Sequence, residues 1–234
     1  MMNSHSILRK IGWEAIIGFL LYMVITPLIL FVAAGTVHWV MAWIFVAITT
    51  SFTLITRVVL ALINPQVIEE RARFMKGESD NKADRIIVFF SVIPGPLILY
   101  VIAGLDKRFS WTMQISPSFQ LVAVIILIIG FLITGWAMIT NAYFSAVVRI
   151  QPHHQVVQDG PYRYVRHPGY AGSMISLVAT PLVLDSMWAY VPVVFLGILG
   201  IYRTFLEDRK LHDELEGYEA YSQKVHYRLV PGIW

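Results

Sequence analysis

There is no cysteine among the 234 residues of this chain. Disulfides, thiolate metal sites and a cysteine nucleophile are therefore excluded. Charge is scarce too. Asp, Glu, Lys and Arg make up 14% of the sequence, against roughly a quarter in soluble domains. No basic run and no nucleic-acid motif occurs, so no nucleic-acid partner is expected. G-x-G-x-x-G, the P-loop, G-x-S-x-G and H-E-x-x-H are all missing, which excludes a Rossmann cofactor site. His153 and His154 are adjacent, without an acidic partner at a useful spacing, so no metal is expected.

What the chain has instead is apolar length. It is 57% hydrophobic, with a mean hydropathy of +0.64. Six apolar segments are read: Glu14–Gly35, His38–Ile63, Arg85–Leu105, Ser118–Ala142, Gly169–Leu184 and Ser186–Phe205. The first follows Arg9 and Lys10. At about 20 residues it matches a bilayer core better than a signal-peptide core, and it is read as a retained span. The third contains Pro94-Gly95-Pro96, which predicts a kink. Asp185-Ser186 leaves so little chain between the last two segments that they must form a helical hairpin.

With the N-terminus inside, segments 1–13, 64–85, 143–168 and 203–234 hold 15 Lys and Arg, and the outer segment 106–117 holds Lys107 and Arg108. The positive-inside rule then places both ends of the chain in the cytoplasm. Segment 64–85 mixes signs and reads as a solvated cytoplasmic loop with an interfacial helix. The expected fold class is an all-α integral membrane protein: about six transmembrane helices, the last two a short hairpin, and a cytoplasmic C-terminal helical tail. Residues 1–234 are read as one membrane domain, with four variable spans in 1–140. The lack of a targeting extension points to a prokaryotic plasma membrane.

Polar chemistry concentrates in two places. DGPYRYVRHPGYAG, residues 159–172, sits between two apolar stretches. Pro168 suits the first position of a helix and His167 its N-cap. Gly169, Ala171 and Gly172 permit close approach to the backbone, and free N–H groups there attract an anion. Arg163 and Arg166 add positive charge. The same residues also suit a basic, aromatic interface belt. At the far end, Arg203 and Glu207 share a helix face at the inner end of a span, where ionisable groups are often functional. Taken alone, they read as a helix-surface ion pair. The hairpin brings both clusters to one membrane depth, so His167, Tyr170, Arg203 and Glu207 are expected to converge. Leu211, Leu215, Tyr218 and Tyr221 recur at helical spacing in the tail, which can cap that pocket.

GPYRYVRHPGYAG, then the hairpin, ED-x-x-L, GYEAY and V-x-YRLVPGIW resemble the isoprenylcysteine carboxyl methyltransferase family and the related membrane phospholipid methyltransferases. The resemblance covers about residues 141–234, the expected cofactor-binding core. It implies S-adenosyl-L-methionine as cofactor, bound at the cytoplasmic side by His154, Gln155, Val156, Val157, Tyr162, His167, Pro168, Gly169, Tyr170 and Glu207. It also implies Arg203 as the catalytic, substrate-carboxylate residue and a lipid-like, membrane-partitioned substrate among membrane lipids. Arg149 stands where the family has a glutamine, and the tail reads LEGYEAY, about a residue shorter than the family pattern. The hypothesis at this stage gives the methionine carboxylate to His167 and the helix N-terminus. It gives the cofactor amine or ribose to Glu207. Phospholipid N-methylation, NADPH-dependent reduction and a non-enzymatic scaffold are the alternatives.

Overall fold

The structure is a computed structural model and describes residues 13–64, 67, 82–145 and 149–234. The described residues fold as helices, with the longest described connection between Thr140 and Pro168. They are α1 (Trp13–Ala34), α2 (Val40–Ile63), α3 (Lys82–Val92), α4 (Pro94–Phe109), α5 (Pro117–Thr140), α6 (Pro168–Val183), α7 (Tyr190–Glu214) and α8 (Tyr218–Lys224). A single 3-10 turn at Gly160–Arg163 precedes α6. Most of the loop expected at 64–85 lies outside the described residues, as do the first twelve positions.

Among the described residues, four helices are long and apolar enough to cross a membrane: Val40–Ile63, Asp84–Phe109, Pro117–Thr140 and Tyr190–Glu214. The second of these is α3 and α4 taken together. They part at Ile93, immediately before Pro94-Gly95-Pro96, because neither proline can donate to the helical ladder. The expected kink is therefore present. α7 runs nine residues past the apolar stretch that ends at Phe205 and reaches Glu214.

Helix α5 is apolar on every side, and small residues decide which side packs. Ala123, Leu127, Gly130 and Ala137 turn inward, while Leu121, Ile125, Ile129 and Leu132 remain exposed. A ring of outward apolar side chains is what a lipid-facing helix presents. The inward stripe lies against α6, where the two backbones nearly touch. A Cβ on Gly130 would lie 2.6 Å from the Gly172 carbonyl oxygen, and a Cβ on Gly172 would lie 2.5 Å from that of Gly130. Ser176 uses the same proximity to donate to the Leu127 carbonyl at 3.2 Å. Small residues at crossings of this kind are the membrane-protein solution to close packing.

The pair α3–α4 runs antiparallel to α7, and three contacts mark the line. Arg203 meets Asp84 near one end. In the middle, a Cβ on Gly95 would lie 2.4 Å from Leu196 Cδ2. At the other end, Ser186 donates to the buried Asp106 carboxylate at 2.6 Å. Asp106 also accepts from the Thr112 amide and hydroxyl, at 2.7 and 2.5 Å. Asp185 accepts from the Ile115 amide at 2.7 Å, so side chains tie the α6–α7 turn to the α4–α5 loop.

A buried carboxylate hub beneath the α6 N-terminus

α6 opens as its sequence predicts: His167 is the N-cap and Pro168 the first helical residue, with no side chain capping the end. The amides just before it are taken by the tail. Arg166 N–H donates to the Tyr227 carbonyl and His167 N–H to the Arg228 carbonyl, both at 2.9 Å.

Beneath this splice lies Asp208, 1% exposed. Its Oδ1 faces His167 Nε2 at 3.1 Å and accepts from the Tyr218 hydroxyl at 2.9 Å. Its Oδ2 accepts from Arg228 Nε at 2.7 Å and Arg166 Nη2 at 3.2 Å. Arg166 Nε sits 3.0 Å from Oδ1 without the alignment of a hydrogen bond. A carboxylate only accepts, so His167 Nε2 carries the proton in this contact. Burial, with Asp208 beside it, pushes the Tyr218 hydroxyl well above its ordinary range, which keeps it a donor. An ionised carboxylate out of water is tolerated only when paired and hydrogen-bonded; here two cations, an imidazole and a phenol do both.

One residue earlier on α7 stands Glu207, turned towards Tyr170 and His167. Its Oε2 accepts from the Tyr170 hydroxyl at 2.7 Å and its Oε1 lies 3.8 Å from His167 Nδ1. Each nitrogen of the His167 ring therefore looks towards a carboxylate. Arg203, one turn back, donates through Nε to Asp84 Oδ1 at 3.0 Å. Its guanidinium carbon stands 5.5 Å from the centre of the Tyr170 ring. His167, Tyr170, Arg203 and Glu207 thus come together as their spacing predicts, while Arg203 pairs with α3 and Glu207 with α6.

The connection before α6 supplies the remaining predicted residues. His154 stacks on Tyr143 with ring centres 4.4 Å apart, and its Nδ1 is buried without a hydrogen-bond partner. Burial lowers its pKa, partly opposed by Glu207. Val156 is half-buried against the cluster of Leu215, Tyr218 and Tyr221; Gln155 is exposed and Val157 half-buried. Tyr162 is buried, with its hydroxyl within reach of Asn141 (3.1 Å) and the Ala137 carbonyl (3.4 Å), and its carbonyl accepts from Tyr221 at 2.8 Å. It joins α5 to α8. Gly169 faces Phe144, whose ring would lie 2.6 Å from a Cβ.

Asp208 is the residue that sequence reasoning passed over. It stands in the quoted ED-x-x-L, yet no spacing rule pairs it with anything.

Residues 122–213 match the model of the isoprenylcysteine carboxyl methyltransferase family. Two rice proteins, from the indica and japonica subspecies, are each described as a probable protein-S-isoprenylcysteine O-methyltransferase. Each is 31% identical over 115 residues, which is 45% of this chain and 58% of the rice protein. An uncharacterized Bacillus subtilis (strain 168) protein, YpbQ, is 23% identical over 165 residues, 69% of this chain and 87% of its own length. The segment 122–213, which carries His167, Tyr170, Arg203, Glu207 and Asp208, is thus similar to the isoprenylcysteine carboxyl methyltransferase family, and the chain spans a little over half the length of the rice relatives it matches.

Proposed function

We propose that the protein is an integral-membrane methyltransferase that uses S-adenosyl-L-methionine and methylates a carboxylate on a lipid-like, isoprenylcysteine-type acceptor. The observation that carries this reading is the cluster of His167, Tyr170, Arg203 and Glu207 inside the family-matched segment. When bound, S-adenosylmethionine supplies a methyl group on a sulfonium, open to in-line displacement.

The residues present fit such a ligand. Its amine is cationic, and Glu207 offers a carboxylate oriented by Tyr170. Its carboxylate is anionic, and the first turn of α6 has N–H groups that no side chain caps. The unpartnered Nδ1 of His154 is a further polar atom for it. His167, with carboxylates facing both ring nitrogens, is better suited to positioning Glu207 than to holding an anion. This revises the role given to it from sequence alone.

A carboxylate acceptor already carries its nucleophilic electron pair, so no general base is required. With the methyl donor bound, the methyl group would pass from sulfur to the acceptor oxygen, the two opposite charges would cancel, and the chain would have no proton to move. What remains for the chain is placement, which alone can supply a large part of the barrier reduction. Arg203 is the group suited to the acceptor carboxylate. The excess of basic residues at this end of the bundle supports a cytoplasmic site in a six-span topology.

Calorimetry with S-adenosylhomocysteine on the detergent-purified protein tests the reading. Micromolar binding is expected, weakened about tenfold or more by Glu207→Ala through loss of a charge-assisted hydrogen bond. Absence of binding by folded wild type removes it. Methyl transfer to N-acetyl-S-farnesylcysteine but not to ethanolamine lipids separates carboxyl from amine methylation.

A further inference from the structure

Arg203 is held from outside the family-matched segment. Its partner Asp84 lies in the first turn of α3, a position favourable for an acidic side chain because the helix N-terminus is positive. The Asp84 side chain is 1% exposed and that of Arg203 12%. Burying a carboxylate is expensive unless a cation accompanies it, so Asp84 needs the guanidinium. The converse also holds. An unrestrained arginine has rotamer freedom to lose when it orders. A bond at Nε removes that freedom beforehand and sets the plane of the fork over Tyr170. Carboxylates engage guanidinium groups best in the plane of the fork, through two parallel bonds, so fixing the plane fixes the acceptor's approach.

The approach of α3–α4 to α7 is built for this contact. Gly95 lets the Leu196 side chain reach where a Cβ would stand, 2.4 Å away, and so keeps the two elements close along the line that ends at Asp84 and Arg203.

We infer that Asp84 is a positioning residue for the acceptor. Through the Asp84–Arg203 ion pair, α3 sets the orientation of the guanidinium that receives an anionic acceptor headgroup, leaving the cofactor side of the pocket untouched. The inference rests on the methyltransferase reading for what the acceptor is, but the ion pair can be tested independently of that reading.

The test uses full-length protein in detergent and three readouts. The first is calorimetric binding of N-acetyl-S-farnesylcysteine in the presence of S-adenosylhomocysteine. Asp84→Asn should weaken the probe about tenfold, the scale of one charge-assisted bond. Asp84→Glu should restore most of that loss. The second is S-adenosylhomocysteine affinity, which should change less than twofold in Asp84→Asn. The third is the Arg203 Nε–H resonance of nitrogen-15-labelled protein, assigned through Arg203→Lys. It should be protected from solvent exchange in wild type and lose that protection in Asp84→Asn.

Equal weakening of both ligands in Asp84→Asn would mean a general structural role and overturn the inference, as would unchanged probe affinity. If wild type binds S-adenosylhomocysteine but not the probe, Arg203 does not serve such an acceptor and the inference fails while the cofactor reading stands. If wild type binds neither, the methyltransferase reading falls, and the inference about the acceptor falls with it. In that case a resonance that still responds to Asp84→Asn preserves only the ion pair.

Discussion

The imidazole of His167 and the carboxylate of Asp208 meet at 3.1 Å, with neither side chain more than 3% exposed. Asp208 also receives Arg166, Tyr218 and Arg228. One aspartate on α7 thus joins the start of α6, the start of α8 and the tail.

Asp208→Asn keeps the shape and removes the charge, leaving Arg166 and Arg228 without their shared anion. The expected cost is about 3–5 kcal/mol, the range for breaking a buried pair from one side, read as a large fall in thermal midpoint in detergent. Asp213→Asn is the control. Asp213 faces Arg209 at 3.8 Å with both side chains largely exposed, and its loss should change stability by less than about 0.5 kcal/mol. Similar shifts in the two variants would show that the hub is not what holds the tail.

Gly172→Ala should destabilise by about 1–3 kcal/mol, the usual penalty for overpacking, because its Cβ would meet the Gly130 carbonyl at 2.5 Å and the Thr134 amide at 2.7 Å. Gly197→Ala should behave oppositely. It lies inside α7 with nothing within 4 Å of a Cβ, so helix propensity should add up to about 1 kcal/mol. Unfolding of the two variants side by side checks the sign of each.

Burial lowers the pKa of His154. Below its ordinary value of about 6.5, the unfolded chain binds the proton more readily than the folded one. The contribution of His154 is therefore complete above that value and declines as pH falls towards the lowered one. Wild type should lose more stability than His154→Phe between about pH 6.5 and 5. Parallel melting curves for the two proteins across that interval would assign the pH dependence elsewhere.

A sequence without cysteine allows single reporter thiols without background. Met113, 91% exposed between α4 and α5, and Gln223, exposed on α8, should label from opposite sides of sealed vesicles once each is changed to cysteine. Gln223→Cys should label from the cytoplasmic side. Labelling of both from one side would contradict the proposed topology.

The helices were legible because hydropathy and proline act locally. The break at Pro94-Gly95-Pro96 and the start of α6 at Pro168 need only their neighbours to be understood. The extension of α7 to Glu214 was not, since the apolar run ends at Phe205 and the rest of the helix is amphipathic. The convergence of His167, Tyr170, Arg203 and Glu207 followed from the hairpin. Their partners did not. Asp84 is 119 positions from Arg203, and Asp208 is 41 from His167, separations at which no periodicity rule speaks. Tyr162 shows a different gap between sequence and structure. It is a cofactor contact by resemblance alone, and its hydroxyl lies against Asn141 and the Ala137 carbonyl at the end of α5.

The splice of residues 166 and 167 to the carbonyls of 227 and 228 sets an order of events during synthesis. Chains emerge from the N-terminus at a few residues per second, so the hairpin of α6 and α7 is made before its two closing carbonyls exist. Through that interval Asp208 also waits for Tyr218 and Arg228. The site is consequently completed only after the spans that carry it, and a ribosome that stalls within the tail leaves those spans made and the site unfinished.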